Sequence, residues 1–136
     1  MKRSKKLKTL AIIPARLGSK RLKNKNFLNF NGKPLINWTI DQALRSKNIN
    51  RIIVSTDSKK FINKFKKNKK LILSLREKKF STSKSPIEDV IIREIIKYKL
   101  SHYHNIILLQ TTSPLRDVKF IDKSISDFGN AKNYFT

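Results

Sequence analysis

Arg16, Ser19, Lys20, Lys25 and Asn26 gather around Gly18 in the stretch AIIPARLGSKRLKNKN, residues 11–26. An arginine fork and lysine point charges are the groups that grip phosphate oxygens. A glycine lets backbone come close to a ligand, and neighbouring amides in such a turn can form an anion-binding concavity. Ser19 adds a hydroxyl, and a triphosphate would suit the set. The spacing is not that of a Walker A loop, since G-x-x-x-x-G-K followed by Ser or Thr is missing, and G-x-G-x-x-G is missing as well. On the residues alone, phosphate binding and a merely solvated basic loop both stay open.

Two more segments are rich in hydroxyl, amide and cationic groups: STDS at 55–58 and QTTSPLR at 110–116. Ser113-Pro114 has a plain turn before the last helix as its other reading. Asp57 is a carboxylate at a strand exit, with a helix cap as its other reading. Asp41 and Asp122 fall inside helical patterns and read as solvated faces. His102 and His104 stand two apart with no third ligand in view, so no metal site is expected from them.

The elements that must hold these segments alternate regularly. TLAIIPA (9–15), RIIVS (51–55), LILSL (71–75) and NIILLQ (105–110) are short apolar runs that read as strands. Between them lie helical patterns at 34–45, with Pro34 in the first turn, at 58–67, and at 85–100. Ser85 with Glu88 spells a capping box, with Pro86 at the first helical position. Asp117 can cap a last helix ending at Gly129. Four strand–helix alternations argue for a mainly parallel sheet with helices on both faces, and strands without polar alternation agree with a doubly covered sheet. In such sheets ligands bind beyond the carboxyl ends of the strands, where the three polar segments fall.

The chain has 136 residues, enough for one domain spanning 1–136 with a single core. Cysteine is absent, which excludes disulfides and thiolate metal sites and fits a reducing compartment. No run of 18 apolar residues occurs, so no transmembrane helix is expected. The opening MKRSKKLKTLAII has a basic flank, but its apolar run is too short for a signal peptide and is ended by Pro14 and Arg16. A cytoplasmic, membrane-free protein is expected. Lys and Arg number 32 against 9 acidic residues, a net charge of +23. That field would attract polyanions. The abundance of Lys, Asn, Ile and Phe is also what AT-rich coding produces. The densest run, KKFINKFKKNKK (59–70), carries only Phe61 and Phe65, at the spacing of a buried helix face rather than of base-stacking platforms. Nucleic acid is therefore not the expected partner.

Ala15-Arg16, Gly18-Ser19-Lys20, Lys25-Asn26 and Gly32-Lys33-Pro34-Leu35, followed by VSTDS (54–58) and LLQTTSPLR (108–116), resemble the acylneuraminate cytidylyltransferases, the CMP-N-acetylneuraminic acid synthetase family. The three motifs occur in the family's order over nearly the whole chain. The resemblance implies a three-layer α/β/α, Rossmann-like nucleotide-diphospho-sugar transferase fold. It implies transfer of CMP from CTP to a nine-carbon acidic sugar with release of pyrophosphate, a step in making nucleotide sugars for cell-surface polysaccharide. Arg16, Lys20 and Lys25 would do the catalytic work of cancelling charge, and Ala15, Gly18, Ser19 and Asn26 would complete the binding of the CTP phosphates and sugar. Arg76, Ser81 and Gln110 would read cytosine, and Thr112 and Ser113 would line the floor.

The chain departs from the family at Leu17, Lys23 and Thr111, where small residues or prolines are common, and at Ser81-Thr82, where serine is often followed by aspartate. Family members are also longer. Their later portion carries aspartates for Mg²⁺, arginines for the sugar carboxylate and a homodimer-forming extension. By the resemblance the Mg²⁺ ligands therefore lie outside this chain. The chain is expected to be an N-terminal portion, weak or inactive alone. Sialic, legionaminic and pseudaminic acids are all open as the sugar. A CMP-Kdo synthetase-like enzyme, a basic module for nucleic acid or acidic surfaces, and a non-functional remnant are the alternatives.

Overall fold

The computed structural model describes residues 6–18 and 21–130. In chain order the elements are β1 Thr9–Pro14, β2 Asn29–Phe30, β3 Lys33–Pro34, α1 Leu35–Arg45, β4 Arg51–Thr56, α2 Lys59–Lys64, β5 Leu71–Leu75, α3 Ile87–Lys97, β6 Asn105–Leu108 and α4 Val118–Asn130. Strands β5, β4, β1 and β6 form, in that order, a four-stranded sheet in which every pairing is parallel. Ile12 of β1 stands level with Ile53 on one side and Leu108 on the other. The expected α/β class with its parallel sheet is what forms.

The strand order follows from the sides taken by the crossovers. From β1 the chain steps to β4 and then β5 in one direction, and right-handed crossovers put α1 and α2 on one face. From β5 it returns past β4 and β1 to β6, so α3 crosses the opposite face. Side chains of β1 alternate accordingly. Ala11, Ile13 and Ala15 pack with Ile36 and Ile40 of α1 and Ile121 and Ile125 of α4. Leu10 and Ile12 face the other way, against Ile91, Ile95 and Leu100 on and after α3. Sandwiched between two helical layers, β1 is fully buried from Leu10 to Ile13. That explains why its sequence is continuously apolar rather than alternating.

Several local expectations are corrected. The second helix stops at Lys64, where Phe65 turns to extended backbone. Phe61 and Phe65 pack on the core, with ring centroids 5.2 Å apart. The Ser85–Glu88 capping box does not form, because Pro86 itself takes the N-cap position and shifts the register by one residue. The Ser85 hydroxyl instead accepts from the Thr82 amide at 3.2 Å. Asp122 is no solvated face, since its carboxylate accepts from the Ser46 hydroxyl and the Asn48 amide and pins the end of α1 to α4. Asp41 pairs with Lys33. Asp117 does cap α4, accepting from the Lys119 amide at 2.9 Å. The small hairpin β2–β3 was not expected, although its turn is Asn31-Gly32, with φ of 47° and 98°. That dipeptide is the sequence signal for a two-residue hairpin. Trp38 of α1 anchors the hairpin by donating from Nε1 to the Phe30 carbonyl at 2.7 Å.

Candidate functional site

The sheet order makes β1 and β6 the strands between which the chain changes direction, and a crevice opens beyond their carboxyl ends. The segment after β1 and the segment after β6 form its two walls. A cleft of about 240 Å³ lies there. Arg16 and Lys25 line it from the first wall, Gln110 and Thr112 from the second, and Arg76 from the end of β5. Thr82, Ser83 and Ser85 supply hydroxyls on the remaining side, and no acidic side chain among the described residues lines it.

Asn26 ties the two walls together. It is 8% exposed and sits in a short helical turn, Lys25–Phe27. Its Nδ2 donates to the Arg16 carbonyl at 2.9 Å, and its Oδ1 accepts from the Thr111 hydroxyl. Asp57 is a second tie. Its Oδ1 accepts from the Leu17 amide at 2.7 Å, holding the first wall to the exit of β4. The capping role weighed for Asp57 belongs to Ser58, whose hydroxyl accepts from the Phe61 amide at 3.1 Å.

These ties leave the cations themselves uncommitted. The side chains of Arg16 and Lys25 make no hydrogen bond or ion pair with the described residues, although both line the cleft. Gly18 makes room for Arg16, since a Cβ at position 18 would sit 3.2 Å from Arg16 Nη1. Arg76 differs. It is 8% exposed, and it donates from Nε to Ser55 Oγ at 3.1 Å, from Nη2 to the Ser55 carbonyl at 2.8 Å and from Nη1 to the Phe80 carbonyl at 3.3 Å. Burial pulls its guanidinium below the ordinary arginine value; Asp57 and Glu94 oppose that pull and Arg16 adds to it. Two of its five N–H groups remain for the cleft.

The second wall is braced from behind by a pair that sequence reading did not single out. Arg116 donates to Gln42 Oε1 at 3.1 Å and to the Gln110 carbonyl at 3.0 Å, while Gln42 Nε2 donates to the Pro114 carbonyl at 2.7 Å. Gln42 is 2% exposed on the inward face of α1, and a buried amide on an otherwise apolar stripe is the signal that could have found it.

Of the residues expected at the site, Arg16, Lys25, Asn26, Arg76, Gln110 and Thr112 are brought together around the cleft. Ala15 is fully buried beneath it at the end of β1, and Gly18 backs Arg16. Ser81 is not among the lining residues; its hydroxyl turns back to the Glu77 carbonyl at 2.9 Å. Ser113 is also outside the lining, in the turn closed by the Arg116 amide at 3.3 Å. Ser19 and Lys20 lie outside the described residues. Among the described residues no three His, Cys, Asp or Glu side chains are grouped to hold a metal. His104 is taken up locally, its Nδ1 accepting from the Lys8 amide at 3.0 Å. No described helix is long and apolar enough to cross a membrane.

The geometry can be set beside known proteins. A family model described as cytidylyltransferase matches residues 10–136. The N-acylneuraminate cytidylyltransferase of Escherichia coli is 37% identical over 130 residues, covering 93% of this chain and 30% of that protein. The CMP-N,N'-diacetyllegionaminic acid synthase of Legionella pneumophila is 36% identical over 121 residues, covering 88% of this chain and 52% of that protein. Among solved structures, CMP:2-keto-3-deoxy-manno-octonic acid synthetase complexed with CTP superposes with a TM-score of 0.69 at 22% identity, over 90% of this chain and 48% of that one. At that identity the likeness speaks for the fold. The chain spans from about a third to about half the length of these curated relatives.

Proposed function

The chain belongs to the cytidylyltransferase family, a family of nucleotidyltransferases, and from that premise we propose that the cleft beyond β1 and β6 binds CTP. The reaction we assign to the protein is transfer of CMP to an acidic nine-carbon sugar of the sialic, legionaminic or pseudaminic type, with release of pyrophosphate. One observation carries the reading. A cleft at the switch point of a parallel sheet is lined by Arg16, Lys25 and Arg76 and, among the described residues, by no carboxylate, with two of those cations uncommitted to other described residues.

The site residues take the following parts in this proposal. Arg16 and Lys25 hold the triphosphate oxygens, with Ser19 and Lys20 as further contacts on the same loop. Gly18 lets the loop and the Arg16 side chain share a narrow space. Nucleotidyl transfer needs alignment and charge cancellation more than covalent help from the protein, so a fixed cluster of cations favours departure of pyrophosphate. Asn26 and Asp57 keep the cations in place by holding the loop that carries them. Gln110 offers an amide that both donates and accepts, which matches the edge of cytosine. We assign Arg76, which lines the cleft from the end of β5, to the base beside Gln110, as the resemblance implies, and Thr112 to the floor.

The resemblance also implies a divalent cation, Mg²⁺, and a homodimer. Among the described residues no three His, Cys, Asp or Glu side chains are grouped to hold such a cation, and Asp57, the carboxylate at the exit of β4, accepts from the Leu17 amide through Oδ1. The steps above therefore use the chain's own cations only.

Calorimetric titration of the 136-residue chain with CTP and with ATP, at low and moderate salt, tests the proposal. Binding that favours CTP and persists at moderate salt is expected. Equal binding of both nucleotides that collapses with salt would instead mark a basic surface without a base-reading site.

A further inference from the structure

We propose that Glu94 is a positioning residue for Arg76, acting through Ser55, and that it thereby sets how strictly the cleft discriminates between nucleobases; this rests on the CTP reading above. Glu94 lies on the inward face of α3 and is 4% exposed. Its Oε1 accepts from Ser55 Oγ at 2.7 Å. Ser55 is fully buried in β4, and its hydroxyl in turn accepts from Arg76 Nε at 3.1 Å. The three side chains form a buried chain: carboxylate, hydroxyl, guanidinium.

The direction of those bonds gives the mechanism. A serine hydroxyl has one proton to give and lone pairs to receive. With its proton committed to Glu94, the Ser55 hydroxyl has its lone pairs free for Arg76 Nε. The Ser55 carbonyl and the Phe80 carbonyl take two more of the Arg76 donors, so the guanidinium plane is fixed on three sides. Arg76 stands between two cavities. It lines both the cleft and a cavity of about 350 Å³ between the end of β5 and α3. Without a fixed plane the guanidinium could swing toward that second cavity. Glu94 and Asp57 also offset the burial that disfavours the Arg76 charge.

Only one of the Glu94 oxygens is used within the buried network. Its Oε2 is buried with no hydrogen-bond partner, an arrangement that costs stability. Leucine at this position would remove the unpartnered oxygen and fill similar volume. Glu94→Leu also takes the acceptor from the buried Ser55 hydroxyl and an opposing charge from Arg76, so its effect on stability does not separate packing from positioning; nucleobase preference and the Arg76 signal do.

The test compares Glu94→Leu, Glu94→Gln and Ser55→Ala in the full chain. Three quantities are read: the ratio of CTP to UTP affinity by calorimetry, the urea midpoint, and the Arg76 Nε–H resonance by NMR. The affinity ratio is insensitive to the folded fraction. The expected result is that Glu94→Leu and Ser55→Ala each lower the ratio by about tenfold. Glu94→Gln, which keeps an acceptor for Ser55, should restore most of it. The Arg76 Nε–H signal should be sharp and exchange-protected in the unaltered chain and lose protection in Glu94→Leu. A Glu94→Leu chain with an unchanged ratio and an unchanged Arg76 signal overturns the proposal while leaving CTP binding intact. An unaltered chain with no preference for CTP overturns the CTP reading itself, and the base-discrimination role with it.

Discussion

Asn26 and Thr111 stand 85 positions apart and share a side-chain hydrogen bond that joins the exit of β1 to the exit of β6. The same Asn26 amide donates to the Arg16 carbonyl, so one buried residue sets both the width of the cleft and the place of its first cation. Asn26→Ala should leave the Thr111 hydroxyl and the Arg16 carbonyl without their partner, at a cost of about 1–3 kcal/mol in unfolding free energy, read from urea melts. CTP affinity should fall with it. Thr111→Val should reproduce part of the loss, and the double variant should show a coupling of about 1 kcal/mol. Full additivity of the two losses would mean that the bond does not hold the walls together.

Asp57 should matter for binding more than for the helix that follows it. Its carboxylate receives the Leu17 amide, while Ser58 caps α2. Asp57→Ala is expected to weaken CTP binding about tenfold, as the loop carrying Arg16 loosens, with a stability loss of only about 1 kcal/mol. Ser58→Ala should behave in the opposite way, costing about 1 kcal/mol through the lost cap and changing affinity little. Matched titrations and urea melts on the two variants separate the roles.

Gly18 is required for space, not for an unusual backbone angle. A Cβ there would press on Arg16 Nη1 at 3.2 Å, and the end of an arginine side chain can move aside. Gly18→Ala should therefore change stability by no more than about 0.5 kcal/mol. It should nonetheless weaken CTP binding, because the displaced group is the one that meets phosphate. Gly18→Val should weaken it further. A calorimetric series over Gly, Ala and Val checks the order.

Lys70 supplies a pH dependence that can be isolated. Its ammonium donates to the Ser46 carbonyl at 2.8 Å at the end of α1. Burial lowers its pKa from the ordinary 10.5, partly offset by Asp122. In the window between that lowered value and 10.5 the unfolded chain holds more protons at this site than the folded chain does. Stability from this group therefore rises with pH through the window, and is lost as pH falls back through the folded value. Urea midpoints of the unaltered chain should climb more steeply with alkaline pH than those of Lys70→Met. Parallel slopes would show that Lys70 does not titrate differently on folding.

The sheet was legible because TLAIIPA, RIIVS, LILSL and NIILLQ are apolar without alternation, and each contains a strand, β1 and β4 buried at the centre and β5 and β6 half-buried at the edges. The location of the cleft was legible too, since polar segments directly after strands must lie at the carboxyl edge. What sequence reading lost was direction at the level of single atoms. Ser81 and Thr82 are adjacent and chemically alike, yet only Thr82 lines the cleft, because the Ser81 hydroxyl closes a turn on Glu77. Asp57 reads as a cap for the second helix, yet the adjacent Ser58, in extended backbone, takes the N-cap position. Gln42, Arg116 and Glu94 act from behind the cleft through partners 39 or more positions away, where no spacing rule reaches.

Arg16 and Lys25 are both cationic, but they should fail differently when replaced. A lysine is a point charge, so Lys25→Ala should lower CTP affinity mainly at low salt, with the loss shrinking as ions screen the site. Arg16 presents a planar fork from a fixed loop and can bind phosphate oxygens in pairs. Arg16→Ala should cost at least about tenfold in affinity, and Arg16→Lys should recover little of it, because charge without the fork does not restore paired bonds. The measurement is CTP affinity for the three variants at two salt concentrations. If Arg16→Lys binds CTP as well as the unaltered chain at both, the cleft holds phosphate by charge alone, and the geometry of the loop around Gly18 is not what makes the site.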